Sequence, residues 1–243
     1  MDSLQRMIAI FDLFDGDRTA VTAEEVATAL DCSVPTAYRY LKTLSTAGLI
    51  APDIQRGFTL GARIIQLDRQ IRLNDPLLHR AGDVMNELIK QVKGNLMVCG
   101  YYGKNVVCIA QAWPDRTVLT SYDRGRPMPL LKGAAGKAIL AHLPDHRLRS
   151  LMLSNAAEIS AAGLGNDWAS FRKMLKEIRR QGYSFSRGEV DSRNAGIAAP
   201  ILSSDKRILG SLVIVVPSQD LDEAQVPEIA EKIKAGAQAI AIY

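Results

Sequence analysis

The stretch Ser33–Ile50, "SVPTAYRYLKTLSTAGLI", opens on a helix-capping serine and closes on Gly48, with Pro35 in a first turn where its missing N–H costs nothing. Ala37, Leu41 and Leu44 recur at helical spacing, which predicts a helix with one buried stripe. Pro35, Thr36, Tyr38, Arg39, Tyr40 and Thr43 are then expected on its outer face, with Ser33 at its start. An arginine, hydroxyls and tyrosines presented together suit the reading of a DNA major groove. Arginine pairs with guanine through two hydrogen bonds, and hydroxyls reach base edges or phosphates.

The flanking sequence supports that reading. "LQRMIAIFDLF" predicts a first helix with Leu4, Met7, Ile8, Phe11 and Phe14 on one face, ended by Asp15-Gly16-Asp17. "TAEEVATALD" predicts a short second helix, with Thr22 and Glu25 forming a reciprocal capping box and Val26, Ala27 and Leu30 facing inward. Beyond Gly48, "LIAPD" and "GFTLG" are strand-like runs around "IQR", a hairpin whose tip offers Gln55 and Arg56 to a phosphate backbone. Three helices and a wing make a winged helix-turn-helix over residues 1–60. Charge is segregated to match: residues 1–32 carry two basic and seven acidic side chains, and residues 33–72 carry six and two.

The chain has 243 residues, 47% hydrophobic and 23% charged, enough for two ordinary domains with self-sufficient cores. Three cysteines, Cys32, Cys99 and Cys108, form no close C-x-x-C pair, which argues against a disulfide framework or structural zinc and for a reducing, cytoplasmic setting. The N-terminus is acidic rather than signal-like, and no apolar run approaches the roughly 18 residues of a membrane span. No membrane partner is expected.

"GARIIQLDRQIRLND" predicts a linker helix over residues 61–74, with Ile64, Leu67 and Ile71 on one stripe. Pro76 then starts a longer amphipathic helix that ends at Gly94, which places a second domain at 75–243. From Asn95 the period changes to short strands, "LMVCGYY", "NVVCIAQAW" and "TVLTSYD". Helices return in "GKAILAHL", "HRLRSLML" and "DWASFRKMLKEIRRQG", strands in "YSFSRGEV", "GIAAPIL" and "RILGSLVIVVP", and a last helix in "VPEIAEKIKAGAQAIAIY". This order predicts an α+β domain around one antiparallel sheet.

Catalytic readings find little support. "KGAAGKA" lacks both the P-loop glycine, where Leu131 stands, and the hydroxyl, where Ala138 stands. Cys99 and Cys108 lie in apolar strands and read as core, and His79, His142 and His146 have no metal-ligand spacing. No metal, cofactor or enzyme activity is expected. The small-residue loop Gly133-Ala134-Ala135-Gly136 ahead of a helix presents backbone N–H groups suited to a carboxylate, or else marks close helix–sheet packing.

"SVPTAYRYLKTLSTAGLI" with "GFTLG", "MPLLKGAAGKAILA", "GYSFSRGE", "GIAAPIL" and "GSLVIVVP" stand in the order and spacing of one family: the sequence resembles the IclR-type bacterial transcriptional regulators along its whole length. The resemblance implies a winged helix-turn-helix, a linker helix and a GAF-like effector domain. It also implies a homodimer or homotetrameric dimer of dimers on double-stranded promoter DNA, and no enzyme activity. On the recognition helix Ser33, Thr36, Arg39, Leu41, Leu44 and Gly48 match the family, whereas Val34 and Pro35 replace the usual Lys and Ser. By position the effector pocket would be lined by Met128, Ala134, Ala135, Gly136, Ser186, Gly196, Val213 and Val215. Arg193, where glycine is usual, would be a bidentate partner for an anion if its side chain turns inward; if it faces solvent, only the loop amides of Ala134, Ala135 and Gly136 remain. Val213 and Val215 stand where members that bind very small oxo acids use hydroxyls, so the expected effector is a small organic acid with an apolar or aromatic body. The rival from another class is a GAF-like enzyme fused to a trihelical protein-docking unit.

Overall fold

The computed structural model describes residues 2–114 and 122–241, and the chain divides into two compact units, 1–75 and 76–243. In the first unit α1 (Ser3–Ala9) runs into a 3-10 turn, Ile10–Leu13. Then follow β1 (Ala20–Val21), α2 (Ala23–Ala29), α3 (Val34–Thr46), β2 (Ile50–Asp53), β3 (Gly57–Leu60) and α4 (Ala62–Asn74). The Thr22–Glu25 box caps α2 as the sequence predicts, and Gly48 takes a φ of +72° where the chain leaves α3. A two-residue strand escapes the sequence reading: β1 pairs with β3, so the wing is a three-stranded sheet in the order β1-β3-β2.

One expectation in this unit needs correcting. Leu4 and Ile8 are 70% and 58% exposed, and the fully buried residue is Ile10. An α-helical period counted across a 3-10 turn slips out of phase, because that turn advances each residue by a larger angle. The predicted stripe of α4, Ile64, Leu67 and Ile71, meets no core within the unit, and no residue of α4 is buried.

The second unit is a six-stranded antiparallel sheet with helices on both faces. Its elements are α5 (Pro76–Leu88), β4 (Asn95–Tyr102), β5 (Asn105–Ala112), β6 (Pro127–Met128), α6 (Gly133–Leu140), α7 (Asp145–Ser154), α8 (Ala156–Ala161), α9 (Trp168–Gln181), β7 (Ser184–Arg187), β8 (Asn194–Leu202), β9 (Ile208–Pro217) and α10 (Val226–Ile240). Strand order is β6-β5-β4-β9-β8-β7. Most of the predicted strand "TVLTSYD" lies outside the described residues, and α8 was not expected. The central strand β9 shows why its sequence is apolar throughout. Val213 and Val215 enter the core beneath α6, α7 and α9, while Leu212, Ile214 and Val216 enter the core beneath α5 and α10.

Helix α6 lies close against the chain before it. A Cβ on Gly136 would stand 2.2 Å from the Pro129 carbonyl oxygen, so only glycine permits this approach. Gly136 is thus a packing residue inside α6, and it does not line the cleft beside that helix, where the sequence suggests a ligand contact.

Candidate functional site

The first candidate surface is the exposed half of α3. Ser33, Pro35, Tyr38, Arg39 and Thr43 are exposed and Thr36 is half-buried, while Ala37, Leu41 and Leu44 are buried. The Ser33 hydroxyl does not cap the helix; it lies 3.0 Å from the Thr36 hydroxyl. Lys42 is exposed as well, three positions from Arg39, and was missed because the sequence reading stopped at the N-terminal half. Tyr40 is a correction. It is only 7% exposed, and its hydroxyl meets Ser3 Oγ of α1 at 3.1 Å. Its place three residues after Ala37 and four before Leu44 was the signal that it belongs to the buried stripe.

At the wing tip Gln55 and Arg56 are exposed, and Ile54 projects fully into solvent between β2 and β3. The Asp53 carboxylate organises the turn, accepting the N–H groups of Gln55 and Arg56 at 3.0 Å and the Arg56 guanidinium at 3.0 Å. The Gln55 backbone N–H, and then the Arg56 guanidinium, hold its pKa below the usual carboxylate range. Arg56 is 62% exposed, so this ion pair is weak enough for a phosphate to replace.

The second candidate is a cleft between the first turn of α6 and the strands β7, β8 and β9, with a cavity of about 30 Å³. It brings together Met128, Ala134, Ala135, Ser186, Gly196, Val213 and Val215, together with Met97, Tyr122, Glu189 and Asn194, which sequence reasoning did not place there. Burial, and then the charge of Asp191, push the Tyr122 phenol above its ordinary pKa.

The first two amides at the helix start are already engaged. The Gly133 N–H donates to Glu189 Oε2 at 2.9 Å, and the Ala134 N–H donates to Ser186 Oγ at 2.9 Å. Lys137 Nζ meets Glu189 Oε1 at 2.5 Å. A carboxylate of the chain itself therefore sits where a ligand carboxylate was expected to meet the helix. Arg193 is a further correction. Its guanidinium donates to both oxygens of Asp191 at 3.2 and 3.0 Å and is 62% exposed, outside the cleft lining, because Asp191 two residues earlier offers a nearer bidentate partner.

Cys99 and Cys108 face each other across β4 and β5 in the buried core. Burial raises both thiols, Cys108 to about 11, so neither is a thiolate nucleophile near neutral pH. Among the described residues no group of His, Cys, Asp or Glu is arranged to hold a metal ion, and no helix is long and apolar enough to cross a membrane.

A family model described as "Bacterial transcriptional regulator IclR C-terminal" matches residues 73–242, and one described as "IclR helix-turn-helix domain" matches residues 3–53. The chain belongs to the IclR family. It is a DNA-binding transcriptional regulator of that family, with an N-terminal helix-turn-helix domain and a C-terminal antiparallel-sheet domain. Among IclR-family relatives, the "Probable HTH-type transcriptional regulator ArcR" of Halobacterium salinarum is 26% identical over 92% of this chain and 86% of its own. The fold is shared with an IclR regulator of Alicyclobacillus acidocaldarius, with a TM-score of 0.80 and 20% identity over 98% of this chain and 96% of the other. It is also shared with an IclR homologue of Microbacterium hydrocarbonoxydans, crystallised with 4-hydroxybenzoate, with a TM-score of 0.76 and 22% identity over 98% of both chains.

Proposed function

We propose that this IclR-family regulator binds promoter DNA sequence-specifically as a homodimer or a dimer of dimers, and that a small organic acid with an apolar, ring-sized body modulates the binding from the α6–β9 cleft. The observation that carries the reading is the division of α3. Ala37, Tyr40, Leu41 and Leu44 hold it to the core, while Pro35, Tyr38, Arg39, Lys42 and Thr43 share the exposed side. Such a face, with the Arg56 wing beside it in sequence, is equipped to read bases and to neutralise phosphates. The exposed Ile65, Leu67, Ile71 and Leu73 of α4 support self-association, since apolar side chains in one helix stay wet unless a second copy covers them.

The apolar effector is supported by Val213, Val215, Met97 and Met128 around the cleft, and by the 4-hydroxybenzoate bound to the Microbacterium homologue. A cavity of about 30 Å³ has room for about two waters. A ring therefore enters as the flexible thioether side chains of Met97 and Met128 rearrange.

The test is a gel mobility shift of the full chain on DNA from upstream of its own gene against random DNA, across a range of salt. Site-specific, salt-sensitive retardation is expected, because phosphate neutralisation releases counterions. Benzoate or 4-hydroxybenzoate should shift the midpoint, while glyoxylate and pyruvate should not. Equal affinity for random DNA would refute promoter recognition, and a response to the short oxo acids alone would refute the apolar body.

A further inference from the structure

We infer that Asn194 is the specificity-determining residue of the cleft, and that it selects a ligand bringing an oxygen acceptor on an apolar body to the β8 wall. The inference rests on the cleft being the effector site, and it moves the polar contact away from the first turn of α6. Asn194 is 8% exposed and lines the cavity, and its side-chain Nδ2 is buried without a hydrogen-bond partner. A buried amide N–H left unpaired is costly, so it needs a reason to persist.

Among the described residues no neighbour supplies that reason. The backbone of Asn194 is engaged, its N–H donating to the Asp191 carbonyl at 3.0 Å and its C=O accepting from the Gly188 N–H at 2.9 Å. Its cross-strand partner is Pro217. The two carboxylates that line the cleft are taken, Glu189 by the Gly133 amide and Lys137, and Asp191 by Arg193. Ser218 Oγ, one residue beyond Pro217, is likewise buried without a partner and makes no hydrogen bond to Nδ2, so among the described residues the acceptor place beside Nδ2 is left to a ligand.

The side chains already seated on the first two amides of α6 point the same way. With Glu189 on the Gly133 amide and Ser186 on that of Ala134, an incoming carboxylate would have to displace a side chain of the protein to take those two amides. The ligand's oxygen goes to Asn194, and its apolar part goes to Met97, Met128, Val213 and Val215. A hydrocarbon of the same shape would leave Nδ2 unpaired and lose the selectivity.

Two measurements on the full chain test this. Asn194→Leu keeps the side-chain shape and removes the unpaired donor, so without ligand it should raise Tm by about 2–10 °C. An unchanged or lowered Tm would show that Nδ2 is already satisfied, by an ordered water for example, and would overturn the inference. This comparison decides the matter even where no probe binds. Calorimetric titration with 4-hydroxybenzoate, benzyl alcohol and toluene is the second measurement. N194L should weaken the first two by about 5- to 100-fold and leave toluene unchanged. Val190→Trp, at the partly exposed rim, should block all three. Probes that bind regardless of V190W would refute the cleft as the effector site. Probes blocked by V190W but indifferent to N194L would refute the role of Asn194 alone.

Discussion

Tyr40→Phe separates a core tyrosine from a base-reading one. The ring is 93% buried in a cluster with Ile10, Ala37, Leu41 and Leu44, so phenylalanine keeps its packing and removes only the hydroxyl that meets Ser3 Oγ at 3.1 Å. Losing one such hydrogen bond costs about 0.5–1.5 kcal/mol. Where exchange proceeds through opening of the unit, amide hydrogen exchange in α3 should quicken by about 2- to 13-fold, because the opening free energy falls by that amount. Ser3→Ala should produce the same change, and the double variant should add little to either, as expected for two groups in one interaction. Specific DNA affinity of the folded protein should stay within about twofold in Y40F. Tyr40→Ala, by contrast, empties a buried aromatic site at about 3–5 kcal/mol. It should leave residues 1–75 largely unfolded. Hydrogen exchange read by mass spectrometry, paired with a DNA titration, decides between the two roles. A Y40F variant with unchanged exchange and relaxed sequence preference would refute the buried assignment and return Tyr40 to the DNA-facing side.

Arg39→Ala should cost about 1–3 kcal/mol on the specific site with relaxed base preference. Arg56→Ala should weaken all sequences alike and flatten the salt slope by about one unit, both read by fluorescence anisotropy against salt. Gly136→Ala forces a Cβ into the Pro129 carbonyl, 2.2 Å away, and should lower stability by about 1–3 kcal/mol or more in denaturant titration. The raised Cys108 thiol should make stability fall with alkali. Between about pH 9 and 11 the unfolded thiol loses its proton while the folded one keeps it, so the folded state binds more protons and ΔG of unfolding drops as pH rises, by up to about 1.4 kcal/mol per pH unit. Cys108→Ala should flatten that slope in urea titrations across the same range.

Much of the N-terminal unit was legible because its signals are local. A capping box at Thr22 and Glu25, a helix-stopping Gly48 and the apolar spacing of α3 act within a few residues, and the structure reproduces them. The alternation of β9 was likewise readable, since a strand's two faces are set by its own pleat. Signals failed where a residue's environment is made by distant chain. Tyr40 has both an apolar ring and a polar end, and what decided its direction was Ser3, 37 residues away, together with the core around Ile10. The Gly133–Gly136 loop left a carboxylate site and close packing both open in the sequence, and at Gly136 the Pro129 carbonyl, from chain outside the helix, decides for packing.

For the second site, the family resemblance located the segments: Met128, Ala134, Ala135, Ser186, Gly196, Val213 and Val215 line one cleft. It could not assign the polar contacts within it. Which acceptor reaches the amide of Gly133, whether Arg193 turns inward, and whether Asn194 keeps an unpaired donor all depend on Glu189 and Asp191 being carried to within about 3 Å of their partners. Local periodicity carries the burial of a side chain, because it samples one face of one element. Hydrogen-bond pairing is a competition among groups from separate elements, won by a few tenths of an ångström, and only the assembled tertiary structure settles it.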